Sequence, residues 1–338
     1  MHKRLLNILL LLGLLPSFMI GQDIHFSQYD MSPLNLNPAL TGEFDGDYRF
    51  IGNHRKQWSS VTIPFTTFSF GADANKLPFG PDNIAAGIQI NQDRAGDSQF
   101  NTFMVNLSGA YKMTLGTDSI QSLSFGLRTG ITNRNLNYDP LQFGVQYNGF
   151  SYDGSLGNQE AFTTASRTYL DVHLGASYSY YIDKRKNITA GLALFNITRP
   201  KQSFYSDDDI RLDARTVFHA AAEWKVSDKI DVMPSMLFMH QGTYNVFNIG
   251  GAAKYVLVDF MGTYRTVWAG LYYRNKDATY LSAGMDYDNW QFGLSYDINV
   301  STLVPASNLR GGFEISAIYI IKSDIPKRVL HRICPDYI

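Results

Sequence analysis

The feature that most constrains this chain is an alternation of apolar with small or polar residues. It sets in by residue 100 and recurs almost to the end. Phe103, Val105, Leu107, Gly109 and Tyr111 alternate with Thr102, Met104, Asn106, Ser108 and Ala110. Leu123, Phe125, Leu127 and Ile131 stand opposite Ser122, Ser124, Arg128 and Thr132; Leu170, Val172, Leu174, Ala176, Tyr178 and Tyr180 stand opposite Asp171, His173, Gly175, Ser177 and Ser179. Period two places successive side chains on opposite faces of a strand. Each run is about ten to fourteen residues long, as a tilted strand crossing a bilayer requires, whereas globular strands are usually about five or six. In a soluble sandwich the apolar face would meet a second sheet; in a membrane barrel it meets lipid and carries aromatics at its ends. Tyr111, Tyr178, Tyr180, Trp224, Tyr255, Tyr273, Tyr287, Trp290, Tyr296 and Tyr319 fall near segment ends, in a chain that is 14% aromatic and only 17% charged.

Further runs lie near 188–198, 214–226, 230–240, 245–257, 265–274, 279–287, 290–298 and 311–321, and weaker ones near 47–56, 65–73 and 83–92. They predict an all-β fold, a transmembrane antiparallel β-barrel of about fourteen strands, the even number that bacterial barrels carry. Such barrels have short periplasmic turns and longer outer loops. If the first strand runs outward, the segments 183–187, 227–229 and 288–289 are inner, and 134–166, 199–213 and 299–310 are outer. The outer connections QGTY and NKDA are short exceptions. The expected organisation is a signal peptide at 1–21, a periplasmic or lumenal segment at 22–46, the barrel at 47–321 and a periplasmic tail at 322–338.

The basic residues of MHKR followed by the apolar run Leu5 to Ile20 predict a secretory signal cleaved after Gly21. A multi-pass outer-membrane location follows, with lipid as a partner. Balanced charge, 29 basic against 30 acidic residues, argues against nucleic acid as a partner. The single cysteine, Cys334, permits no internal disulfide; it either pairs with another protein or is buried as a small apolar residue.

Enzymatic motifs are absent: there is no G-x-S-x-G elbow, no G-x-G-x-x-G loop and no zinc spacing among the seven histidines. His173 shares its face with Asp171 and several serines, and alternation alone explains that grouping. Ser206 to Asp209, SDDD, lacks the spaced ligands of a calcium loop. No catalytic residue, metal or cofactor is expected. The connection 134–166 mixes aromatics with Asn, Gln, Asp and Gly, which suits either protein contact or a cover over the barrel mouth.

Ahead of the alternation, Gln22 to Trp58 begins without a steady period and reads as an ordered, irregular lead-in, neither strand nor helix. Pro33, Pro38 and Gly42, with capping groups at Asn35 and Asn37, suit a fixed irregular path. Phe26, Ser27, Gln28 and Tyr29, then Asn37, Pro38, Ala39 and Gly42, then Arg55, Gln57 and Trp58, and finally Cys334 and Pro335 are separated motifs in order along the chain. Together they resemble the PorP/SprF family of type IX secretion system outer-membrane proteins of Bacteroidetes. That family usually carries a basic and an aromatic residue straight after Cys-Pro, where this chain has Asp336 before Tyr337.

The resemblance implies a non-enzymatic barrel of the type IX secretion or gliding machinery. Its implied partners are periplasmic and outer-membrane components of that system and a large adhesin-like secreted protein with a C-terminal sorting domain. The irregular segment Ser27 to Gly42 would fill the lumen as a plug or lie at its periplasmic mouth. Arg55 would face inward to hold it, and Trp58 would sit at the membrane interface. A passive porin, or a transporter of hydrophobic ligands like FadL, is the alternative.

Overall fold

The computed structural model describes residues 24–322 except 61–62, 78–82, 97, 117–119, 140, 158, 160–163, 205–209, 261–262 and 303. The expected signal peptide, the SDDD stretch, the C-terminal tail, Cys334 and Pro335 therefore lie outside the described residues.

The alternating runs become fourteen antiparallel strands: β1 Tyr48–Gln57, β2 Phe65–Ala74, β3 Ile84–Ala95, β4 Phe100–Leu115, β5 Gln121–Asn135, β6 Ser166–Asp183, β7 Lys186–Phe195, β8 Arg215–Lys225, β9 Ile230–Gln241, β10 Tyr244–Phe260, β11 Thr263–Arg274, β12 Ala278–Tyr287, β13 Trp290–Asn299 and β14 Arg310–Ile321. Each pairs with its sequence neighbours, and β1 pairs with β14 from Tyr48↔Ile321 to Gln57↔Gly312, which closes the sheet. Closure leaves no strand edge unpaired, which a sheet surrounded by lipid requires.

The two faces separate by polarity. Leu107, Leu127, Leu170, Leu192, Leu271 and Leu281 are exposed on the outer wall, while Asn106, Arg128, Asp171, His219 and Ser282 are buried inside. A leucine left in water forfeits about 1.5–3 kcal/mol of burial, so a belt of exposed leucines calls for hydrocarbon around it. At the end where β1 starts, Tyr111, Tyr178, Trp224, Tyr255, Tyr287 and Trp290 are exposed on the outer wall, and Trp290 lies 4.5 Å from Tyr319. That end carries only short connections, such as the turn between Asp183 and Lys186, while the opposite end also has short turns after β9 and after β11. The opposite end carries the long connections 136–165, 196–214 and 300–309.

Candidate functional site

Residues 24–42 pass through the barrel interior. The contacts that place them there reach the whole way round the wall: Ser27 meets β11, β12, β13 and β14, Tyr29 meets β9, Asn35 meets β2 and β3, and Asn37 meets β6, β7 and β8. Only a segment crossing the lumen can touch opposite walls. Instead of a wholly irregular path, the segment forms three short helical turns, Tyr29–Met31, Pro33–Leu36 and Pro38–Leu40. They are too short for a helical period to register in the sequence. Pro33 and Pro38 occupy first-turn positions, where a missing N–H is no loss. Asn37 Oδ1 caps the last turn by accepting the Ala39 N–H at 2.9 Å. Asn35, expected to cap as well, instead donates to Ser32 and Ser69 and accepts from Asn91. The wall offered its amide a better partner than the local backbone. Gly42, with φ +73, turns the chain towards β1, and a Cβ there would stand 2.3 Å from Ala85 Cβ.

One end of the crossing is gripped by charge. Glu314 accepts the main-chain N–H groups of Ser27 and Gln28 at 2.8 and 3.0 Å. Both Asp297 oxygens accept the Ser27 hydroxyl, at 2.8 and 3.0 Å. Tyr280 donates to the Ser27 carbonyl at 2.8 Å and accepts from Asn248 at 2.7 Å. Arg274 reaches Asp297 at 2.7 Å and the Ser27 hydroxyl at 3.0 Å. Arg55 pairs with Asp297 at 3.1 Å, stands 3.8 Å from Glu314 and donates to the His25 carbonyl. These four charged side chains are each no more than 4% exposed. Each guanidinium group faces a buried carboxylate, and Arg274 also reaches the partly exposed Asp277. Neither buried cation is left without an opposite partner, the condition under which such charges persist inside a protein.

The other end is gripped by close packing. The Asn37 amide donates to the carbonyls of Ala176 and Leu192 at 3.1 and 3.2 Å and lies 3.0 Å from His219 Nε2. Glycines make this approach possible: a Cβ on Gly126 would fall 2.2 Å from the Pro38 carbonyl carbon, and one on Gly175 would fall 1.9 Å from Asn37 Oδ1. Arg128 donates to the Leu34 carbonyl at 2.8 Å, while Asp73 accepts the Gly42 N–H and pairs with Arg49, both at 2.7 Å. Between the two grips Tyr29, Leu36 and Leu40 pack on Phe195, Val217 and Leu237, and Met31 and Leu34 on Ile51 and Ile318.

The structure thus brings together Ser27, Gln28 and Arg55 at one grip and Asn37, Pro38 and Ala39 at the other, with Phe26 and Tyr29 buried beside them and Gly42 at the exit. Gln57 and Trp58 stand apart, at the far end of β1, where the Trp58 ring meets Phe65 edge-on at 4.7 Å. His173 and Asp171 form no relay. His173 Nδ1 accepts the Asn196 N–H at 2.9 Å, and Asp171 accepts the Thr132 hydroxyl at 2.8 Å. Sequence reasoning did not single out Asp297, Glu314, Arg274, Tyr280 or His219. Each is one polar residue on a polar-inward face, and no local signal separates it from its neighbours.

Fold and site together define an outer-membrane β-barrel of fourteen strands whose lumen is crossed by its own N-terminal segment. The chain belongs to the family described as type IX secretion system membrane protein PorP/SprF, whose family model matches residues 19–319. No curated protein matches its sequence. Among solved structures it is similar in fold to the CymD monoaromatic hydrocarbon channel (12% identity, 90% of this chain and 95% of that one, TM-score 0.48). It is likewise similar to the toluene transporter TodX of Pseudomonas putida (9%, 88% and 93%, 0.49). A third likeness is to a FadL homologue of Pseudomonas aeruginosa (12%, 84% and 92%, 0.41).

Proposed function

We propose that the protein is a non-enzymatic outer-membrane barrel of the type IX machinery that helps export, anchor or localise a large adhesin-like surface protein through that protein's C-terminal sorting domain. Residues 1–21 direct export and are removed, residues 22–46 serve as a plug, and the tail from 322 meets periplasmic components of the system. The end with the long connections faces outward, as in other barrels of this kind.

The single observation that carries the reading is the crossing segment itself, bonded to strands on every side. A wall whose buried charges hold its own chain is built to stay closed, which disfavours an open porin and leaves the family membership to favour a holder of protein over a plugged transporter. In this reading Arg55, Ser27, Gln28, Asn37, Pro38 and Ala39 keep the plug seated, and Trp58 marks the outer interface.

Affinity purification of the full-length barrel from its cells is expected to recover a large exported protein bearing the sorting domain, and liposomes containing the barrel are expected not to swell in sugar solutions. Without any such protein, porin-like swelling would establish a passive porin, and uptake of hydrophobic ligands by the purified barrel would establish a FadL-like transporter. Deleting residues 23–42 divides the roles further: a barrel that inserts but releases its cargo assigns docking to the plug, and loss of insertion assigns it to barrel closure.

A further inference from the structure

The connection between β5 and β6 holds a small hairpin that the crossing segment does not explain. Tyr147 and Tyr152 bridge as antiparallel partners, Asn148 Oδ1 accepts the N–H groups of Phe150 and Ser151 at 3.0 Å each, and the Asp153 N–H returns to the Gln146 carbonyl at 2.8 Å. Gln146, buried, ties the base by accepting from Phe143 N–H and donating to the Leu156 carbonyl. Gly149, with φ +99, makes the tip. All of this local bonding holds out a side chain that touches almost nothing. Phe150 is 95% exposed, with Val145, Tyr147, Tyr152 and Leu156 also exposed around it.

An aromatic held out in water by a hydrogen-bonded turn leaves its apolar area unburied and, with only two side-chain torsions, gives up little entropy when it is finally buried, the properties of an anchor at a protein interface. Charge distinguishes protein from lipid as the occupant. Between Arg134 and Arg167 the sequence contains Asp139, Asp153 and Glu160 and neither lysine nor arginine. An acidic loop of this kind is repelled by anionic headgroups, which attract basic segments, and is complementary to a basic rim.

We propose that the hairpin at 143–156 is a docking knob whose Phe150 enters an apolar pocket rimmed by basic side chains on the sorting domain of the exported protein. The inference rests on the function proposed above and names the surface through which it works.

The test uses the full-length barrel in lipid nanodiscs and purified type IX sorting domains from the same cells, each assayed singly by biolayer interferometry. At least one domain is expected to bind wild type, more weakly as salt is raised. Phe150→Ser is expected to weaken that binding about tenfold or more; Phe150 supports nothing, so the variant keeps its fold. Gly149→Val, which retains Phe150 but strains the tip, is expected to weaken it as well. If no domain binds wild type, the proposed function itself fails. If a domain binds wild type and both variants equally, that function stands and the knob is overturned. Phe150→Trp in nanodiscs without any sorting domain supplies the lipid control, in which blue-shifted emission would seat the tip in lipid and overturn the proposal too.

Discussion

Asp297→Ala is the sharpest perturbation of the charged grip. It removes the carboxylate that receives Arg274 at 2.7 Å, Arg55 at 3.1 Å and the Ser27 hydroxyl at 2.8 Å, all from side chains shielded from water. Breaking one buried ion pair by deleting a partner costs about 3–5 kcal/mol, because the remaining charge is stranded. Two arginines lose a partner here, yet the cost is not doubled, since Arg55 keeps Glu314 at 3.8 Å and Arg274 keeps Asp277. The expected loss is therefore about 3–5 kcal/mol, roughly two to three and a half decades in the unfolding equilibrium constant. By contrast Lys225→Ala, which breaks an ion pair at 2.8 Å with an Asp228 that is 96% exposed, is expected to leave the unfolding midpoint essentially unchanged. Urea titration of the barrel in lipid, followed by tryptophan fluorescence, measures both. Limited proteolysis then reports whether residues 24–47 have become accessible. If Asp297→Ala unfolds at the same urea concentration as Lys225→Ala and its N-terminal segment stays protected, the cluster does not hold the segment and the reasoning fails.

The remaining predictions concern the second grip and the hairpin at 143–156. Gly126→Ala drives a Cβ to 2.2 Å from Pro38 and 2.3 Å from Ala39, both main-chain atoms, and is expected to cost about 1–3 kcal/mol and expose the segment to protease. Gly52→Ala meets nothing within 4 Å and is expected to change stability by less than about 0.5 kcal/mol in the same titration. Asn37→Ala removes the Ala39 cap and strips the partner from two lumenal carbonyl contacts, for an expected loss of about 1–3 kcal/mol. In the hairpin, the Ser155 hydroxyl and then its N–H hold the Asp153 carboxyl below its usual 3.8. A folded value below the unfolded one means that this contribution is complete above the unfolded pKa and lost as pH falls through the folded one. The emission of Phe150→Trp is accordingly expected to stay constant from neutral pH to about pH 4 and to change only below it; a transition near pH 6 would contradict the assignment.

Particular residues show how far local pattern reaches. The faces of β4, β5 and β6 were legible because period two is a property of each strand alone: Leu107 and Asn106 declare opposite sides whatever lies beyond them. Strand number and the two kinds of connection follow from repeating that reading, and the separated motifs from Phe26 to Trp58 point to the family. Gly126 and Gly175 also carried a signal, since glycine inside a strand marks a close approach of backbone. What approaches them was not in the signal.

Those partners came only from closing the sheet. Ser27 and Glu314 are 287 positions apart and meet because β14 returns beside β1. Arg274, Tyr280 and Asp297 reach the same serine from three neighbouring strands. Along the chain each is one more polar residue on an inward face, indistinguishable from those that touch only a neighbouring strand. The sequence by itself determined the barrel, its inner and outer faces and its family, because alternation and motif order are local and cumulative. The tertiary structure alone decided which inward charges hold the crossing segment and which amide, Asn35 or Asn37, caps it, because those depend on distances between strands that no local pattern encodes.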